Sequence, residues 1–171
     1  MYTMLHKCSL WKVAGIFFAE PTKVHFIKEI SRKINLAHTS VKKHILELID
    51  LGLAEPSFLV FKGYKAKREN PDFLFYKKIN NLIMLKNSGL TEELKEHYPK
   101  AIILFGSYDK GEDIETSDID IFIDGKKFSI KLEKYEKYLS RKIHLVFKEE
   151  AAKNLLESIK QGQILFGERD G

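Results

Sequence analysis

Apolar residues in the first half of the chain recur at the three- and four-residue steps of helices. Trp11 to Ala19 is largely apolar and predicts a buried helix that ends before Pro21. From Lys23 to Lys33, the positions Val24, Ile27, Ile30 and the following Ile34 predict an amphipathic helix, broken at Asn35. "HTSVKKHILELIDLGL" predicts a third helix, with Thr39 or Ser40 as N-cap and a stripe of Val41, Ile45, Leu48 and Ile49. Gly52 stops it, as glycine does just past a helix end. Two alternating runs, Ala54–Lys62 and Asp72–Tyr76, predict a β-hairpin whose tip is the basic segment "KGYKAKRENP". Residues 73–87 continue as an apolar-rich helix or strand-to-helix segment.

The second half changes rhythm. "NSGL" at 87–90 marks the expected boundary, giving domains at 1–88 and 89–171. Thr91 to His97 predicts a short helix with Thr91 as N-cap and acids in its first turn, ended by Pro99. "KAIILFGS" is a continuously apolar strand running into Gly-Ser, the pattern of a strand buried on both faces. "DIDIFI" alternates as a second strand, "FSIKLEKYEKYLSRK" predicts a helix and "KIHLVF" a third strand. "KEEAAKNLLESIKQG" predicts a last helix, and "QILFGE" a short closing segment. The expected class is α/β (α+β): an N-terminal helical module with a hairpin, then a small mixed sheet flanked by helices.

Composition adds bounds. With 44% apolar and 31% charged residues, the chain of 171 is that of a folded protein with one ordinary domain or two small ones. No run approaches the roughly 18–20 apolar residues that cross a bilayer. The apolar N-terminus is interrupted by His6, Lys7, Lys12 and Glu20, so neither a signal peptide nor a membrane partner is expected. Cys8 is the single cysteine, which excludes an internal disulfide and a cysteine zinc cluster, and a reducing cytoplasm is the expected location. Charge is split unevenly: residues 1–86 hold 15 Lys/Arg against 7 Asp/Glu, and residues 87–171 hold 14 against 17. Such a split suggests two modules with different partners, the first a polyanion.

The chemistry concentrates in "LFGSYDKGEDIETSDIDIFI", residues 104–123. Side chains two apart on a strand share a face, so Asp118 and Asp120 place two carboxylates side by side. They repel unless a cation lies between them, and hard carboxylate oxygens suit Mg²⁺. Gly106 leaves room for backbone to approach a phosphate, and Ser107 offers a hydroxyl to its oxygens. Glu112, Asp113 and Glu115 read as a solvated loop.

Gly106-Ser107, a ten-residue gap and Asp118-x-Asp120, each at the end of an apolar strand, resemble the motif of minimal nucleotidyltransferases of the DNA polymerase β superfamily. The resemblance covers roughly residues 90–167. It implies an enzyme moving a nucleoside monophosphate, AMP from ATP, with Mg²⁺ or Mn²⁺ on the catalytic pair Asp118 and Asp120. It further implies nucleotide binding at Gly106, Ser107 and Lys110. Some minimal members resemble antitoxins that adenylylate a partner protein, so a protein acceptor is implied as well. Active members usually place a third carboxylate on the next strand, where this chain has His144. Histidine ligates Mg²⁺ poorly but suits Mn²⁺ or Zn²⁺, so His144 is a further candidate metal ligand. The competing reading is a DNA-binding regulator whose degenerate transferase domain binds nucleotide without turnover.

The stretch "IKEISRKINLAHTSVKKHILELIDLGLAE" resembles a winged helix-turn-helix domain. That resemblance implies His38, Thr39, Ser40, Lys42 and Lys43 facing DNA from the recognition helix. It also implies Lys62, Lys65, Lys67 and Arg68 along the wing, and pairing of two copies on two half-sites. His44 falls on the packing flank of that helix. The alternative use of such a domain is dimerisation or protein docking.

Overall fold

The computed structural model describes residues 4–58 and 61–168. The chain forms two compact units, Met1–Asn80 and Asn81–Gly171. In the first, helices α1 (Ser9–Ala19), α2 (Ile27–Ile34) and α3 (His38–Asp50) precede a hairpin of β1 (Ala54–Phe58) and β2 (Lys62–Ala66). Val13, Phe17 and Phe18 of α1, Ile30 of α2, and Val41, Ile45 and Leu48 of α3 form the core, closed by Phe73. The stripe on α3 therefore buries the face its spacing demands. Asn35 ends α2 in a left-handed conformation (φ 51°), and Gly52, at φ 72°, follows α3.

Three local expectations are corrected. The second helix starts at Ile27, not Lys23, because His25 is engaged elsewhere: its N–H donates to the Tyr64 carbonyl at 2.7 Å and its carbonyl accepts from the Tyr64 N–H at 2.9 Å. Neither Thr39 nor Ser40 caps α3, which begins at His38 after Ala37. The hairpin is shorter than expected, with Ala54 opposite Ala66 and Phe58 opposite Lys62, so the supposed basic tip is itself the second strand. Residues 59–60, part of the expected first run, lie outside the described residues. Asp72–Tyr76 belongs instead to α4 (Pro71–Ser88). Asn70 and Pro71 explain this: the Asn70 side chain accepts from the Asp72 N–H at 2.8 Å, and proline suits a first helical position.

In the second unit, α5 (Leu90–Lys95) leads to β3 (Ala101–Phe105), α6 (Gly106–Lys110), β4 (Ile119–Asp124), α7 (Glu133–Leu139), β5 (Ile143–Phe147), α8 (Leu156–Gln161) and β6 (Gln163–Gly167). The sheet order is β5-β4-β3-β6, with β4 and β5 parallel and β3 antiparallel to both its neighbours. All five residues of β3 are buried. Alternation splits the sheet into two faces. Ile102, Leu104, Ile119, Ile121 and Ile123 pack with Leu90, Leu94 and Tyr135 on one side. Ile103, Phe105, Phe122 and Val146 pack with Ile159 of α8 on the other.

The helices here are shorter than their apolar spacing suggests. Ser88 rather than Thr91 serves the start of α5, its Oγ accepting from the Leu90 N–H at 3.2 Å. Residues 126–132 are not helical; the Phe128 ring stacks on His97 with centroids 3.7 Å apart and meets Phe147 edge-on at 5.1 Å. The expected last helix breaks into two single turns before α8, with Ala151 and Ala152 extended between them. The expected solvated loop is corrected at one residue: Glu112 is exposed, but Asp113 is 1% exposed.

Candidate active site

β3 and β4 run antiparallel, so the C-terminal end of β3 lies beside the N-terminal end of β4, where parallel β5 also begins. The register places Phe105 opposite Asp120, and Asp120 beside His144. The even positions of β4 share the face that carries Phe122, while Ile119 and Ile121 are committed to the opposite core. Burial of the isoleucines therefore turns Asp120 to the other face, where it comes against Gly106.

Gly106 stands directly against Asp120. Its φ is 78°, and a Cβ built on it would stand 2.7 Å from Asp120 Oδ2. Only glycine combines that backbone conformation with that approach. The other oxygen of Asp120, Oδ1, lies 3.2 Å from His144 Nδ1. Asp120 is thus held between a bare backbone and an imidazole, with its side chain 28% exposed. Asp118 precedes β4 and is exposed, as are His144 and Lys110, whereas Ser107 is half-buried in α6.

Beneath this end of the sheet is a buried polar network that the sequence did not reveal. Asp113 Oδ1 accepts from Asn81 Nδ2 at 2.8 Å, and that same amide group donates to the Tyr108 carbonyl at 2.9 Å. Arg141 Nη2 reaches Asp113 Oδ2 at 3.4 Å, with both side chains almost wholly buried. Burial pushes the Tyr108 hydroxyl well above its ordinary range, the Asp113 charge adds to this, and Arg141 opposes it. The network ties the end of α6 and the start of the loop that follows it to Asn81 and Arg141. Its sequence signal was slight: an acid, an amide and an arginine far apart in the chain.

Beside Asp118 opens a groove of about 510 Å³, lined by Glu115, Ser117 and Asp118 on one side and by Lys137, Ser140 and Lys142 on the other. Lys142 is anchored there by Glu136 Oε2 at 2.9 Å, while Glu136 Oε1 accepts from the Ile143 N–H at 3.1 Å. The Lys142 ammonium, and then the Ile143 N–H, hold the Glu136 carboxyl below the usual carboxylate range. Glu136 in turn raises Lys142, with lesser contributions from Glu133 and Asp118.

In the first unit, His38, Thr39, Lys42 and Lys43 are exposed on α3, and Ser40 is half-buried. Lys43 lies 3.9 Å from Glu47. His44 is on the packing side, its Nε2 2.8 Å from Ser9 Oγ and its Nδ1 2.9 Å from Glu47. Lys65 lies in β2 and pairs with Glu55 at 3.1 Å, while Lys67 and Arg68 follow that strand in the turn before α4. They stand at the base of the hairpin rather than at its tip, which carries the exposed Phe58 and Phe61.

Comparison with known proteins agrees with the geometry of the second unit. A family model described as a nucleotidyltransferase domain matches residues 88–165. Two proteins of Methanocaldococcus jannaschii are similar to part of this chain. "Putative protein adenylyltransferase MJ1215" is 48% identical over 65 residues, covering 33% of this chain and 74% of that protein. "Putative protein adenylyltransferase MJ0126" is 52% identical over 52 residues, covering 29% of this chain and 53% of that protein. No solved structure matches. The chain belongs to the nucleotidyltransferase-domain family, and the reaction class of that domain is nucleotidyl transfer. Among the described residues, no helix is long and apolar enough to cross a membrane.

Proposed function

We propose that the second unit transfers AMP from ATP to a hydroxyl group of a protein acceptor, and that the first unit, read as a winged helix-turn-helix, binds DNA. The observation that carries the transfer is the close approach of Asp120 Oδ2 to the bare backbone of Gly106, at the junction of three strand ends. The relatives named as protein adenylyltransferases favour AMP and a protein over other nucleotides and acceptors. The acceptor oxygen forms a bond to the α-phosphorus, the bond from that phosphorus to the bridging oxygen breaks, pyrophosphate leaves, and the hydroxyl proton passes to water.

Asp118 and Asp120 would hold a divalent cation. Their hard carboxylate oxygens fit Mg²⁺ or Mn²⁺, and the missing Cβ of Gly106 leaves Asp120 Oδ2 unobstructed. When bound, such an ion neutralises the α-phosphate and acidifies the attacking hydroxyl. The bare backbone of Gly106 admits a phosphate, the Ser107 hydroxyl donates to its oxygens, and the Lys110 ammonium balances triphosphate charge. The groove beside Asp118, with Lys137 and Lys142 on one wall, offers room for the remainder of a substrate.

Incubation of the full chain with α-labelled ATP, Mg²⁺ or Mn²⁺ and candidate acceptors tests this. Labelled protein and released pyrophosphate are expected, both abolished in Asp118→Ala/Asp120→Ala. No release with either metal would sink the transfer reading, and label persisting in the double variant would show that the wrong site is named. The second reading, a regulator that binds nucleotide without turnover, is favoured by one feature: His144 stands beside Asp120, where the superfamily's third carboxylate is expected. Nucleotide binding without pyrophosphate release would select it.

A further inference from the structure

The first unit holds a cluster that nucleotide chemistry does not use. Glu20 follows α1, His25 precedes α2, and Glu29 lies in the first turn of α2. One ring nitrogen of His25 and one carboxylate oxygen from each glutamate lie within 4.8 Å of one another. His25 is fully buried. Its Nε2 lies 2.9 Å from the Glu20 carbonyl, which can only accept, so in the neutral ring Nε2 carries the proton. Nδ1 then keeps its lone pair, and this buried atom has no hydrogen-bond partner. An imidazole whose second nitrogen donates to a backbone carbonyl is the form in which histidine ligates metals.

The two carboxylates already share a cation. Lys33 Nζ lies 2.7 Å from Glu20 Oε2 and 2.8 Å from Glu29 Oε1, and Lys23 pairs with the other oxygen of Glu20. The Lys33 side chain is 40% exposed, so its ammonium can swing into solvent, giving up its two ion pairs to do so. From this arrangement we infer that Glu20, His25 and Glu29 form a binding site for a first-row transition dication such as Zn²⁺, in which the metal displaces the Lys33 ammonium. One nitrogen and two oxygen ligands match Zn²⁺ and its neighbours, and disfavour Ca²⁺ and Mg²⁺. Occupancy would tie the end of α1 to the start of α2 and, through the pairing of His25 with Tyr64, to β2.

Co²⁺ is the probe, titrated into the full chain carrying Asp118→Asn/Asp120→Asn so that those carboxylates contribute nothing. One equivalent with visible d–d absorption, displaced by Zn²⁺, is expected. Glu29→Gln, at a partly exposed position that tolerates the change, should weaken Co²⁺ by at least about tenfold. Lys33→Met, which removes the competing ammonium, should tighten it by about tenfold. His25→Asn should abolish the absorption; if that variant does not fold, the other two decide. Absence of the visible band, Co²⁺ affinity unchanged in Glu29→Gln, or affinity unchanged or weakened in Lys33→Met would each overturn the site. The label-transfer outcome is independent of all three.

Discussion

Replacing Gly106 with alanine sets backbone against side chain at the point where three strand ends meet. Two costs add. At φ 78° an L-residue sits in the left-handed region, which costs roughly 1–2 kcal/mol. The new methyl would also lie 2.7 Å from Asp120 Oδ2 and 3.6 Å from Asp120 Cβ and Cγ. Relief requires the carboxylate to withdraw by roughly half an ångström, against a His144 nitrogen 3.2 Å from its other oxygen. Turning the side chain off its rotamer costs about 0.5–1.5 kcal/mol. Gly106→Ala should therefore destabilise the second unit by about 2–3 kcal/mol, while displacement of Asp120 lowers label transfer on the order of 100-fold. Urea unfolding by circular dichroism, with amide exchange of β3 reporting the second unit, measures the first. Labelled ATP measures the second. Gly15→Ala is the control, because nothing lies within 4 Å of a Cβ there; it should stabilise α1 by about 0.5–1 kcal/mol. Gly106→Ala within about 0.5 kcal/mol of the parent, with label transfer intact, would refute the assigned contact with Asp120.

Asp113→Ala removes the buried acid from Arg141 and Asn81 and should cost about 3 kcal/mol in urea unfolding, with Asp113→Asn milder because its amide oxygen still accepts from Asn81. Glu136 has a folded pKa below its ordinary 4.5, so its contribution to stability is complete above that value and is lost as the pH falls through and below it. Glu136→Gln should therefore flatten the acid limb of the stability profile below about pH 4.5 and leave its slope near neutrality unchanged. If α3 meets DNA, Lys42→Ala should shrink the negative slope of log affinity against log salt by about 1, and a salt-independent parent would remove the nucleic-acid reading.

What the sequence made legible follows from what decides each element. β3 and β4 were readable because their cores are short apolar runs ended by Gly-Ser or opened by an acid, and the register then brings Asp120 and Gly106 together. The hairpin was misread because alternation at 72–76 looks like a strand. The Asn70 cap and Pro71 override it, and the lysines between become a strand instead of a tip. His25 was counted into a helix, since its backbone pairing with Tyr64 is a contact across 39 residues that no local pattern encodes. Asp113 looked solvated for the same reason: its partners Asn81 and Arg141 are distant in sequence.

The two aspartates of the motif are not equivalent. Asp120 is within a strand, close against Gly106 and 3.2 Å from His144, so its position is set by the sheet. Asp118 lies one residue outside β4, exposed, at the rim of the groove that Lys142 also lines. A carboxylate with a fixed position defines where a cation would stand, and one at a groove edge can follow a substrate. The histidine at the register position beside Asp120 alters the charge balance. Three carboxylates nearly neutralise two dications, whereas two carboxylates and a neutral imidazole neutralise one. On the proposed reading, in which these three residues would hold the metal, a second dication would depend for charge compensation on the triphosphate itself, tying its binding to the nucleotide rather than to the protein alone.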